Sequence, residues 1–192
     1  MGMSKALLTM AGQDLIEEFC QINNMSCPSI EKTHIDDWRF GVCAYYRYHT
    51  IHVCPAKCAN IGFAARAWSF PGYVIDRTPY GVLAHELGHA IDFGLGKTQD
   101  RYHSEFSVGL RAKSGERKLT GYCPNDAEWF AEMFRLFVTN PDLLNHLRPK
   151  TYYLIRSHDL KPVENRPWYK VLKEAPERTI NQAAKKIEGK SR

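Results

Sequence analysis

The chain has 192 residues, 44% hydrophobic and 24% charged, an ordinary composition for one compact globular domain that excludes wholesale disorder. Its net charge of +5 sits in one place: of 26 Lys/Arg and 21 Asp/Glu, nine and four lie from Lys161 onward, leaving 17 of each in a neutral body. No run of about 18 apolar residues occurs, which excludes a membrane-spanning helix, and no membrane partner is expected.

Residues 1–12 carry one lysine and a short, broken apolar stretch, too weak for a secretory leader, and Ala6 breaks the pattern that would myristoylate Gly2. A cytoplasmic chain is expected, with export or delivery to another cell left open. The apolar spacing of Leu15, Ile16, Phe19, Cys20 and Ile22 predicts an amphipathic helix over 14–24. Aromatic and β-branched residues over 38–53 predict two strands, and a hairpin turning at Tyr48 and His49 would set Cys43 across from Cys54. A third strand is expected over 67–76, at a sheet edge because of Pro71 and Gly72.

Thr78-Pro79 is a helix start, a capping hydroxyl followed by a residue that needs no N–H, and Gly94-Leu95-Gly96 is a stop, so a helix is predicted over 79–93. A further helix is expected near 102–112. Pro124-Asn125-Asp126 opens another over 126–139, closed by Asn140-Pro141, and two shorter ones follow at 142–147 and 150–157. One domain over 1–160 is expected, followed by a basic, partly helical segment over 161–192. A solvated segment explains those charges more readily than a nucleic-acid contact.

Six cysteines, Cys20, Cys27, Cys43, Cys54, Cys58 and Cys123, form no Cys-x-x-Cys. Reduced, mostly buried thiols are expected, with a structural metal or a redox pair as the alternatives.

The chemistry lies in the helix over 79–93. His85 and His89 are four residues apart, one turn along the same face, a spacing at which two imidazoles can share one metal ion. Glu86, about 100° round the axis, can reach a water on that ion without being a ligand, the position of a general base. Chance alone produces His-Glu-x-x-His in roughly 2% of chains with this His and Glu content, so the surroundings matter more than the pattern. Val82, Leu83, Ala84, Leu87, Ala90, Ile91 and Phe93 make the helix apolar nearly all round, and a buried Glu between two His is costly unless a cation joins them.

Catalytic zinc usually has three protein ligands. A third His six residues after the second would fall on Leu95, so that arrangement is excluded. Between Asp126 and Thr139 at its ends, the helix over 126–139 is apolar except for Glu128, Glu132 and Arg135, close to one stripe. That stripe is either part of a site or an ordinary one, with a Glu132–Arg135 pair or Glu128 closing a capping box on Asn125.

His85-Glu86-Leu87-Gly88-His89-Ala90-Ile91-Asp92, then Leu119-Thr120-Gly121-Tyr122, then Ala127-Glu128-Trp129-Phe130-Ala131-Glu132-Met133-Phe134-Arg135-Leu136, resembles the catalytic domain of the lethal-factor-like gluzincins, the zinc endopeptidases related to anthrax lethal factor. The likeness covers about residues 79–156. It implies an α+β, zincin-like fold: a small mixed sheet packed on the active-site helix, with a second, mainly helical subdomain. It further implies one Zn2+ per chain held by His85, His89 and Glu128, with Glu86 as base. Glu132 would orient a ligand histidine and Tyr122 would stabilise the oxyanion, while His103, His146 and His158 are alternative donors. The loop from Tyr122 to Glu128 is one residue shorter than in the family, and Cys123-Pro124 stands in it.

The expected function is zinc-dependent endopeptidase cleavage of a peptide or protein substrate lying along an edge strand, with 67–76 the candidate strand. The alternatives are a catalytically silent zinc-binding interaction module and a peptidase recruited to nucleic acid by its basic tail.

Overall fold

The computed structural model describes residues 5–34, 42–58, 78–96, 104–119 and 123–163. Among these the chain is mixed α+β, with six α-helices and one three-stranded sheet. None of those helices is long and apolar enough to cross a membrane. The expected strand over 67–76 lies outside the described residues, as do Tyr122, His103 and the segment from 164 onward.

Helix α1 (Lys5–Ile22) buries Leu8, Leu15, Ile16 and Phe19 along one face. It begins well before residue 14 because Ala11 and Gly12 are also buried and Gly12 lies against the central helix. A Cβ at Gly12 would sit 2.9 Å from Leu83 Cδ1 and 3.1 Å from the Tyr80 backbone. Asn24, at φ 51°, ends the helix: its N–H reaches Gln21 O and the next N–H, of Met25, reaches Cys20 O at 2.9 Å.

Strands β2 (Ala44–Arg47) and β3 (Thr50–Val53) form the expected hairpin. Tyr48 and His49 both have positive φ (49° and 60°), which makes the two-residue turn whose twist matches that of the strands. The register pairs Arg47 with Thr50 and Ala44 with Val53, and the Cys54 N–H donates to Cys43 O at 2.9 Å, so Cys43 does stand across from Cys54. Strand β1 (Ser29–Lys32), parallel to β3, was not expected from sequence; the order is β1-β3-β2.

Helix α2 (Pro79–Gly96) is the centre of the molecule, packed by α1, by β2 and β3, by α3 (Glu105–Ser114) and by α4 (Asp126–Thr139). Thr78 Oγ1 caps it, accepting from Gly81 N. It runs three residues past the expected stop at 93, because Gly96 packs on Ser104, the residue that caps α3. Asp92 completes that junction: its Oδ1 accepts from Ser107 N at 3.0 Å, and its carbonyl accepts from Ser104 Oγ at 3.1 Å. Helix α4 matches its predicted bounds and is followed by α5 (Pro141–Leu147) and α6 (Pro149–Arg156).

The crossing of α2 and α4 is close. A Cβ at Gly88 would lie 2.8 Å from Ala131 Cα, so the two backbones touch at this point. Gly88→Ala is therefore expected to destabilise by about 1–3 kcal/mol despite Ala's better helix propensity, because backbone must move. Gly94→Ala is the control: its Cβ meets nothing and should stabilise by up to about 1 kcal/mol. Denaturant midpoints of the two variants should shift in opposite directions.

Candidate metal centre

The Gly88–Ala131 contact sets the distance between the faces that carry the polar residues. From α2 project His85 and His89; from α4, Glu128 and Glu132. His85 Nε2 lies 3.1 Å from Glu128 Oε2 and His89 Nε2 lies 3.6 Å from the same oxygen. One donor atom from each of His85, His89 and Glu128 falls within 4.8 Å of the others, and the three could hold a metal ion. Two imidazoles and one carboxylate form a donor set suited to a borderline divalent cation with further coordination positions left over.

The supports lie one layer out. His85 Nδ1 donates to Glu132 Oε1 at 2.9 Å, and the other oxygen of Glu132 accepts from Arg135 at 2.6 Å. Glu132 and Arg135 are both 1% exposed, so the three side chains form one buried charge relay with its far end closed by the guanidinium. This fixes the His85 ring and leaves Nε2 facing the cluster. Glu86 is buried beside the two histidines, and the backbone N–H of Tyr46 in β2 lies near its carboxyl.

Electrostatics follows from this geometry. Burial disfavours the His85 imidazolium, but its hydrogen bonds to Glu128 and Glu132 outweigh that and raise its pKa to about 10. Burial pushes Glu128 upward, yet the hydrogen bond from His85 and the nearby His89 ring win and hold its carboxyl well below the usual range. Glu86 goes the other way. Burial raises it, and the charges of His89 and His85 and the Tyr46 N–H only partly offset this.

A proton and a metal ion at His85 Nε2 are mutually exclusive, so uptake must release that proton. With the metal-free pKa near 10, the proton is present throughout pH 6–9. Metal affinity should then rise about tenfold per pH unit across that window and release about one proton from this site. Calorimetry in buffers of different ionisation enthalpy measures the count, and a value of zero would show that His85 Nε2 carries no proton in the metal-free site.

Of the site residues expected from sequence, His85, Glu86, His89, Glu128 and Glu132 converge. Both ordinary contacts of the α4 stripe are present as well: Asn125 Oδ1 accepts from Glu128 N at 2.9 Å, and Glu132 pairs with Arg135. The carboxylate of Glu128 nevertheless turns to the histidines. His146 and His158 are exposed and outside the cluster, His158 lying edge-on to Phe106. The role of the Tyr46 N–H had no signal in the sequence, since any residue carries that group.

Protein-family models, curated proteins and solved structures were all compared with this chain, and none matched.

Proposed function

We propose that this chain is a zinc-dependent metalloendopeptidase of the glutamate-zincin type, with a zincin-like fold and one Zn2+ per chain. The observation that carries this is the convergence of His85, His89 and Glu128 from two buried helices, with Glu86 at their side and Glu132 behind His85. The lethal-factor-like resemblance described above agrees with it position by position.

His85, His89 and Glu128 would hold the ion, which when bound lowers the pKa of a water toward about 7 and polarises a carbonyl. Glu86 accepts the proton of the attacking water and delivers it to the departing amine. Its raised pKa suits the first half, because the carboxylate is more basic than one in water. Glu132 keeps Nδ1 of His85 occupied, so Nε2 is the nitrogen left for coordination. Tyr122 donates to the oxyanion in this scheme, on the strength of the resemblance.

The test is a proteome-scale cleavage profile with zinc-loaded protein, chelated protein and Glu86→Gln in parallel. The expected result is a set of peptide bonds cut only by the first. Bound zinc with no cleavage anywhere in a diverse library would instead make the chain a metal-stabilised interaction module.

A further inference from the structure

Away from the metal centre, two sulfur atoms are brought together by backbone geometry. The hairpin register sets Cys43 across from Cys54, and the 3-10 turn Pro55–Lys57 then folds the chain back so that Cys58 N reaches Pro55 O at 3.2 Å. Cys58 Sγ donates to Cys54 O at 3.4 Å. Cys43 Sγ donates at 3.4 Å to Lys57 O, the carbonyl of the peptide group that also carries the Cys58 N–H. Cys43 Sγ thus lies against the peptide group of Cys58, and the two thiols are close enough to influence each other. Strand register and turn together hold Cys43 beside the backbone of Cys58.

The two members differ in access. Cys58 is 3% exposed, while Cys43 is half-buried and within reach of a small solute. The neighbouring Cys43 and burial push the Cys58 thiol up. An accessible sulfur beside a shielded one is the arrangement in which oxidation ends at a disulfide and does not climb to irreversible acids.

We infer that Cys43 and Cys58 form a redox-modification site, in which a hydroperoxide oxidises Cys43 and Cys58 resolves the product to a disulfide that a dithiol can reopen. In the first step the Cys43 thiolate attacks a peroxide oxygen. The O–O bond breaks, alkoxide or hydroxide leaves and takes up a proton, and Cys43 becomes a sulfenic acid. In the second the Cys58 sulfur attacks the Cys43 sulfur. The S–O bond breaks, and hydroxide departs with the Cys58 proton as water. Two electrons, one from each thiol, reduce one peroxide. The closed ring spans 43–58 and so encloses both hairpin strands, including the Tyr46 peptide group that meets Glu86.

The experiment uses the full chain carrying Cys27→Ser, because Cys20 and Cys27 are also close enough to influence each other. It is treated with hydrogen peroxide and mapped as peptides without reduction. The expected result is a Cys43–Cys58 linked peptide, loss of two thiols, and a melting temperature raised by about 5–10 °C, all reversed by dithiothreitol. Adding Cys58→Ala should replace the linked peptide with a dimedone adduct on Cys43. A Cys43–Cys54 bond, or an oxidised chain in which Cys43 and Cys58 are both still free thiols, overturns the inference. Neither readout needs zinc or peptide cleavage, so this result stands or falls apart from the proposed peptidase activity.

Discussion

Glu86→Gln is expected to lower peptide hydrolysis by about 10²–10⁴-fold while leaving one metal ion per chain in place. The substitution keeps the shape of the side chain and its acceptor oxygen near the Tyr46 N–H. It removes the negative charge and the ability to take a proton. Because Glu86 is buried beside His85 and His89 but is not among the three converging donors, metal content should be unaffected. Metal analysis and turnover measured on the same sample separate the two roles. Full turnover with metal bound would show that another group accepts the proton; loss of metal would show that Glu86 belongs to the ligand set.

The second large effect is expected at Glu132. Its carboxylate sits between His85 Nδ1 and Arg135 in a site closed to water, so Glu132→Ala removes the carboxylate that pairs with a buried guanidinium and the hydrogen bond at His85 Nδ1. Breaking such a pair from one side costs about 3–5 kcal/mol, and loss of the orienting hydrogen bond weakens metal affinity by about 10–100-fold. The two losses can be pulled apart. Replacing both partners, Glu132→Leu with Arg135→Leu, removes the guanidinium charge as well and should recover most of the stability, since buried ion pairs and apolar pairs are often near parity. Metal affinity should stay low in that double variant. If affinity returned with stability, Glu132 would be holding the core together without orienting His85.

The behaviour of Glu132 also shows why sequence carried the site only part of the way. His85, Glu86 and His89 are legible because their relation is fixed by helical geometry within five residues. For Glu128 and Glu132 the local contacts and the site contacts coexist: the Asn125 cap and the Arg135 pair are made, and so are the contacts to histidine. Which dominates is decided by where α4 crosses α2, at Gly88 and Ala131, a tertiary fact with no local signature.

The fold divides along the same line. Helix α4 was predicted to the residue because its start and stop are written in Asn125-Asp126 and Asn140-Pro141. The β2–β3 turn was placed correctly by its flanking strands. Strand β1, Ser-Ile-Glu-Lys, has a single apolar side chain and is a strand because β3 lies beside it, as the Thr33 N–H on Val53 O and the Ser29 N–H on His49 O attest. The first turns of α1 and the last turn of α2 were missed for one reason. At Gly12 and at Gly96 a residue that reads locally as a breaker serves as a place for another segment to lie close.

The Asn23 side chain, just past the end of α1, makes two hydrogen bonds to a residue 138 positions away: Oδ1 accepts from Lys161 N at 2.7 Å and Nδ2 donates to Lys161 O at 3.0 Å. Leu160 and Val163, on either side, are buried at 4% and 2% exposure. The first helix and the chain beyond α6 are thus two halves of one seam, and the intervening residues form a loop that this seam closes. Trimming the protein from its beginning or from its end opens the same seam. A shortened chain meant to remove only the basic tail keeps the seam shut if it is cut after Val163, and loses it if cut at the run of charge that starts with Lys161.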